Sequence, residues 1–73
     1  MIDMQNRELI LRKAVEDGFG NMIKVGDTVR HQHFGRDGVV TSTYTAVRNG
    51  VQYNEIAIDQ PGGPWGPRDV RKL

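Results

Sequence analysis

From Lys24 to the C-terminus the apolar residues alternate with polar ones in short runs, and each run ends in a glycine, proline or Asn-Gly signal. A two-residue period puts one face of an extended chain toward a core, so these runs read as strands joined by tight connections. Strands are expected over residues 28–33, 39–47, 53–59 and 69–73, with turns at Gly35-Arg36-Asp37-Gly38 and Asn49-Gly50 and a Gly/Pro-rich loop over 60–67. Short antiparallel strands in sequence order, with no helix between them, imply a meander that closes into a small barrel.

Residues 3–17 carry a different period. At about 100° per residue, Met4, Ile10, Leu11, Ala14 and Val15 fall within an arc of roughly 140°, the stripe of an amphipathic helix. Asp3 suits an N-cap and Gly18 a C′ position, with Gly20 turning the chain away, although Glu16 and Asp17 stand at the unfavourable end of the helix dipole. Leu9 and Ile2 point away from the stripe, either as a stray exposed pair or as a surface for self-association or partner docking. The expected organisation is a helix and glycine hinge over 1–20 and a barrel over 21–73.

The turn at Asn49-Gly50 makes a prediction about register. A tight two-residue connection sets Thr43 and Thr41 opposite Ile56 and Ile58, which leaves Val40 on the other face. For Val40 to share a core with both isoleucines, a bulge or longer loop is expected between Tyr44 and Tyr53.

Val25-Gly26-Asp27-Thr28-Val29-Arg30-His31-Gln32-His33-Phe34-Gly35, followed by Gly38 and Val40, resembles the opening of the Tudor-like C-terminal domain of superfamily-one DNA-repair helicases. It is similar also to the RNA-polymerase-interacting domain shared by CarD-type transcription regulators and the transcription-repair coupling factor. Glu55-Ile56-Ala57-Ile58-Asp59 looks like the third strand of these families, and residues 67–73 resemble their closing segment. The resemblance implies an all-β fold, a small SH3-like (Tudor-like) five-stranded barrel, here preceded by one N-terminal α-helix. It also implies docking on a protein, notably RNA polymerase, through an exposed strand and adjoining loop. This chain has Arg36 and Asp37 between two glycines where the families have one residue, and carries no helicase domain, as expected of a phage- or plasmid-encoded interactor.

Strand addition supplies backbone hydrogen bonds while outward side chains select the partner. With Ile56 and Ile58 inward, the outward positions are Tyr53, Glu55 and Ala57, the first candidates for partner contact. Trp65, in Pro61-Gly62-Gly63-Pro64-Trp65-Gly66-Pro67, is either a lid folded over the barrel or a rigid recognition residue at the rim with Arg36. Leu9 completes the set. A weaker nucleic-acid reading uses Arg30, Arg48, Arg68, Arg71 and Lys72 against phosphates.

Composition narrows these readings. Residues 21–73 hold seven Lys/Arg against five Asp/Glu, too few for the dense basic stripe of a dedicated nucleic-acid domain. The 73 residues contain no cysteine, so neither a disulfide framework nor a thiolate zinc site is available, and a reducing cytoplasm is the expected compartment. No apolar run approaches the roughly 20 residues of a membrane span, and no secretory signal opens the chain. His31 and His33 share a strand face, a spacing two metal ligands can use, but no third ligand accompanies them; a packed His31 and a solvent-facing or partner-facing His33 are expected, with no metal. No nucleophile, phosphate loop or paired carboxylate suggests an enzyme or a cofactor. Type II dihydrofolate reductases resemble this chain at Gly26-Asp27-Thr28-Val29-Arg30, but Gly63-Pro64-Trp65-Gly66 stands in place of their Val-Gln-Ile-Tyr run.

Overall fold

The computed structural model describes residues 7–73. The chain runs β1 (Arg7–Leu11), β2 (Val15–Glu16), β3 (Met22–Ile23), β4 (Thr28–His31), β5 (Asp37–Arg48), β6 (Val51–Ile58), a 3₁₀ turn (Pro67–Asp69) and β7 (Val70–Lys72). Strands β4 to β7 fall where the alternating pattern puts them. Among the described residues no helix is long and apolar enough to cross a membrane.

The expected N-terminal helix is absent over the described part of 3–17; residues 3–6 lie outside it. Arg7–Leu11 is instead a strand, antiparallel to β5 from Leu11 opposite Tyr44 to Arg7 opposite Arg48. Of the described members of the expected stripe only Val15 is buried, while Leu11 is 79% exposed. An isolated helix of this length is marginal in water, whereas the open edge of β5 offers the main chain a full set of partners. Asp17, badly placed for a helix C-terminus, is an asset in the turn that forms instead.

A closed barrel is likewise not what forms. The sheet order is β1-β5-β4-β7 with β6 on the other edge of β5, giving five strands, while β2 and β3 make a separate hairpin. β5 is 12 residues long and serves two neighbours on one edge: β4 at residues 37–39 and β1 at 44–48. β7 pairs with β4, not with β6. Among the described residues the outer edge of β6 meets only Trp65, through the exchange of two hydrogen bonds of 2.9 Å with Ile56. That one bridge does not extend into a ladder, so the ring of strands stays open.

The register irregularity exists, but at a different place. Asn49 (φ 51°) and Gly50 (φ 78°) form the tight turn directly, with Arg48 opposite Val51 and Thr43 opposite Ile56. Both left-handed dihedrals match a type I′ turn, which suits the twist of a hairpin. The shift comes between Val40 and Ser42, where Thr41 is the extra residue. It delivers Val40 opposite Ile58 and onto the core side.

That core is a cluster of Val15, Ile23, Val29, Val40, Ile56, Trp65 and Val70, with Ile58 packed against it. Trp65 is 3% exposed, which places it as the lid. His31, also buried, stacks on Phe34 at 4.0 Å between ring centroids and meets the Trp65 edge at 5.0 Å. Its Nδ1 accepts the N–H groups of His33 (3.2 Å) and Phe34 (3.3 Å), a fold-making role. His33 is exposed, and among the described residues no group of three or more His, Cys, Asp or Glu side chains is arranged to hold a metal ion.

The β2–β3 hairpin seals one end of the cluster because its turn closes onto the 3₁₀ turn. A Cβ on Gly18 would lie 2.5 Å from the Arg68 carbonyl oxygen, an approach only glycine allows. Gly18→Val is expected to lower stability by about 1–3 kcal/mol through this overpacking. Urea denaturation checks it; an unchanged midpoint would mean that the turn relaxes freely.

Candidate interaction surface

Strands β1, β5 and β6 form a three-stranded arm ending in the Asn49-Gly50 turn, and its two faces differ in chemistry. Toward the interior, Arg12 Nε donates to Thr45 Oγ1 (2.9 Å), which donates to Asn54 Oδ1 (2.8 Å). Thr43 Oγ1 donates to the Arg12 carbonyl (2.5 Å). This polar chain ties the three strands together and leaves no buried side-chain nitrogen or oxygen unpaired among the described residues.

The outer face is largely apolar, with Arg48 and Glu55 as its charged members. Residues directly opposite one another across antiparallel strands share a face, so Leu9, Ala46 and Tyr53 make one row and Leu11, Tyr44 and Glu55 the next. Val51, opposite Arg48, and Ala57, opposite Ser42, extend the face at its two ends. Ala46 and Tyr44 are buried as its floor, while Leu9, Leu11, Val51 and Tyr53 are 55%, 79%, 48% and 48% exposed. Arg48 holds Tyr53 in place, its guanidinium 5.7 Å from the ring centroid and 3.4 Å from Glu55 Oε2.

The expected contact residues sort clearly. Tyr53, Glu55 and Ala57 do succeed one another on the outer face of β6. Leu9, expected on a helix, stands in the same row as Tyr53 with only Ala46 between them. Trp65 lies in the core, so its ring is not presented at a rim. Arg36 is exposed in the β4–β5 turn, roughly 30 Å along β5 from the Tyr53 row, and does not join the group. Leu11 and Val51 were missed; with a tight turn at Asn49-Gly50, strand parity alone places Val51 on Tyr53's face.

The basic residues form no common track. Arg30 pairs with Asp37 at 2.7 Å and thereby lowers the Asp37 pKa. Arg48 is engaged with Glu55, and Arg71 stacks 4.5 Å over Phe19. Lys72 reaches Asp27 (3.4 Å) and the Met22 carbonyl (3.2 Å). Arg68 lines an open cleft of about 740 Å³ together with Asp17, Gly18, Gln52 and Asn54. Compared with protein-family models, with curated proteins and with solved structures, the chain matches none.

Proposed function

We propose that the chain is a non-enzymatic, cytoplasmic protein-interaction module whose partner docks on the outer face of the β1–β5–β6 arm. The observation that carries this reading is the row Leu9–Ala46–Tyr53, where two strands put half-exposed apolar side chains side by side over a buried floor. A tyrosine flanked by leucine and held by an arginine has the makings of an interface centre, because a large, pre-positioned ring loses little entropy on contact. The resemblance of residues 25–40 to domains that dock on RNA polymerase makes transcription and DNA-repair machinery the first partner class to test. The dispersed arginines favour this over nucleic acid, since most of them already have carboxylate or aromatic neighbours.

Titration with purified RNA polymerase at about 0.1 and 0.5 M salt tests the reading. Binding through an apolar centre should change little with salt, and Tyr53→Ala should weaken it by about 2 kcal/mol, or roughly thirtyfold. Affinity that collapses with salt, or that survives Tyr53→Ala unchanged, would show that another surface makes the contact.

A further inference from the structure

The open edge of β1 carries a pattern that complements itself. Arg12 N–H donates to the Thr43 carbonyl at 2.9 Å, so Glu8, Ile10 and Arg12 direct their backbone groups toward β5. Leu9 and Leu11 therefore turn theirs outward, to an edge with no strand against it among the described residues. Natural edges are normally guarded by proline, a bulge or a repelling charge, and Glu8-Leu9-Ile10-Leu11-Arg12 has none of the first two. Its charges are of opposite sign and stand symmetrically about Ile10.

We infer that β1 pairs antiparallel with β1 of a second copy, about a two-fold axis through Ile10, joining two arms into one six-stranded sheet. A two-fold contact requires each residue to complement its symmetry mate. In this register Glu8 of each copy lies opposite Arg12 of the other, and Leu9 opposite Leu11, each pair twice. Leu9 and Leu11 are the residues whose outward N–H and C=O groups bond, so side-chain and backbone requirements choose the same alignment. Shifting the axis to Leu9 puts Glu8 opposite Ile10 and leaves Arg12 without a carboxylate. Neither Glu8 nor Arg12 has an ion-pair partner among the described residues, so both are available. The ladder stops at Lys13, where the chain bends away.

The dimer extends the outer face and does not depend on what docks there, because Tyr53 lies two strands from the axis. Sedimentation equilibrium should show the mass rising from 8.2 kDa toward twice that value with concentration. E8R and R12E should each weaken association by at least about tenfold, since like charges then face each other, and mixing the two variants should restore it as a heterodimer. Should R12E loosen β1 by losing its bond to Thr45, wild-type hydrogen exchange decides instead. The Leu9 and Leu11 amides should become protected as concentration rises, while the Ile10 amide is protected throughout. A mass of 8.2 kDa at every concentration, or a dimer whose Leu9 and Leu11 amides exchange freely, overturns the inference.

Discussion

Trp65→Ala is expected to leave much of the protein unfolded at 25 °C. The indole is 3% exposed and is the largest member of a seven-residue cluster otherwise made of valine and isoleucine. Truncating a buried tryptophan costs about 3–5 kcal/mol, part lost transfer energy and part residual cavity. At about 0.05–0.15 kcal/mol per residue, a chain of 73 residues has roughly 4–11 kcal/mol in all. The loss is therefore comparable with the whole stability at its lower end. Because the Trp65 backbone also makes the only bridge to the outer edge of β6 among the described residues, a disordered 60–67 loop would expose Ile56 as well. Urea titration followed by far-UV circular dichroism measures the loss, and Trp65→Phe, which keeps a ring against His31, should cost distinctly less. A Trp65→Ala midpoint within about 0.5 kcal/mol of wild type would mean that the indole does not organise the core. The variant reports on folding, so tests of docking belong at Tyr53.

The second large effect is expected at Asp17. Its carboxylate is buried, with Oδ1 accepting the N–H groups of Phe19 and Asn21 at 2.8 Å and Oδ2 accepting that of Lys72 at 3.0 Å. One side chain thus shapes the β2–β3 turn and fastens it to β7. Burial by itself raises the Asp17 pKa, but the N–H groups of Lys72, Asn21 and Phe19 together outweigh it, and the pKa falls below the ordinary 3.8. A depressed folded-state pKa stabilises fully above the unfolded value and is lost as pH falls through the folded one. Stability should therefore hold above about pH 4 and decline below it, with Asp27 adding in the same direction, mainly through the Lys24 N–H. Asp17→Ala leaves three N–H groups without their acceptor and should cost about 3 kcal/mol or more. Asp17→Asn can keep one oxygen for the turn but sets an amide against the Lys72 N–H, so it should be intermediate and should flatten the acid decline. Denaturation midpoints at pH 3 and pH 6 test this; an Asn variant with the wild-type pH slope would move the acid sensitivity to other carboxylates.

Much of the β-structure after Lys24 is legible because its determinants are local. Alternation marks β4, β5, β6 and β7, Asn49-Gly50 marks the hairpin, and parity along β6 puts Tyr53, Glu55 and Ala57 on one face whatever lies behind them. The same rule shows that Val40 and Ile56 cannot share a core without an extra residue. It does not say where that residue goes, because a bulge at Thr41 and a longer loop beyond Tyr44 satisfy the pattern equally.

The first seventeen residues mark the limit of such reasoning. Ile10, Leu11, Ala14 and Val15 fit a helical stripe, while the alternation of Leu9 and Leu11 fits a strand face as well, and local propensity differs too little to choose. The choice falls to β5, more than thirty positions away, whose unpaired edge at Tyr44–Arg48 satisfies the main chain of β1. Trp65 in its Gly/Pro-rich loop poses the same problem: whether the ring covers a core or faces a partner depends on the opening between β4 and β6.

What the sequence determined by itself, then, is strand period, turn chemistry and the side of β6 that faces out, since each depends on neighbours within a few residues. Only the tertiary structure decided that Arg7–Leu11 is a strand, that the sheet stays open, and that Leu9 stands beside Tyr53. Those outcomes depend on which distant backbone groups and apolar surfaces find each other, and a two-residue period carries no record of that.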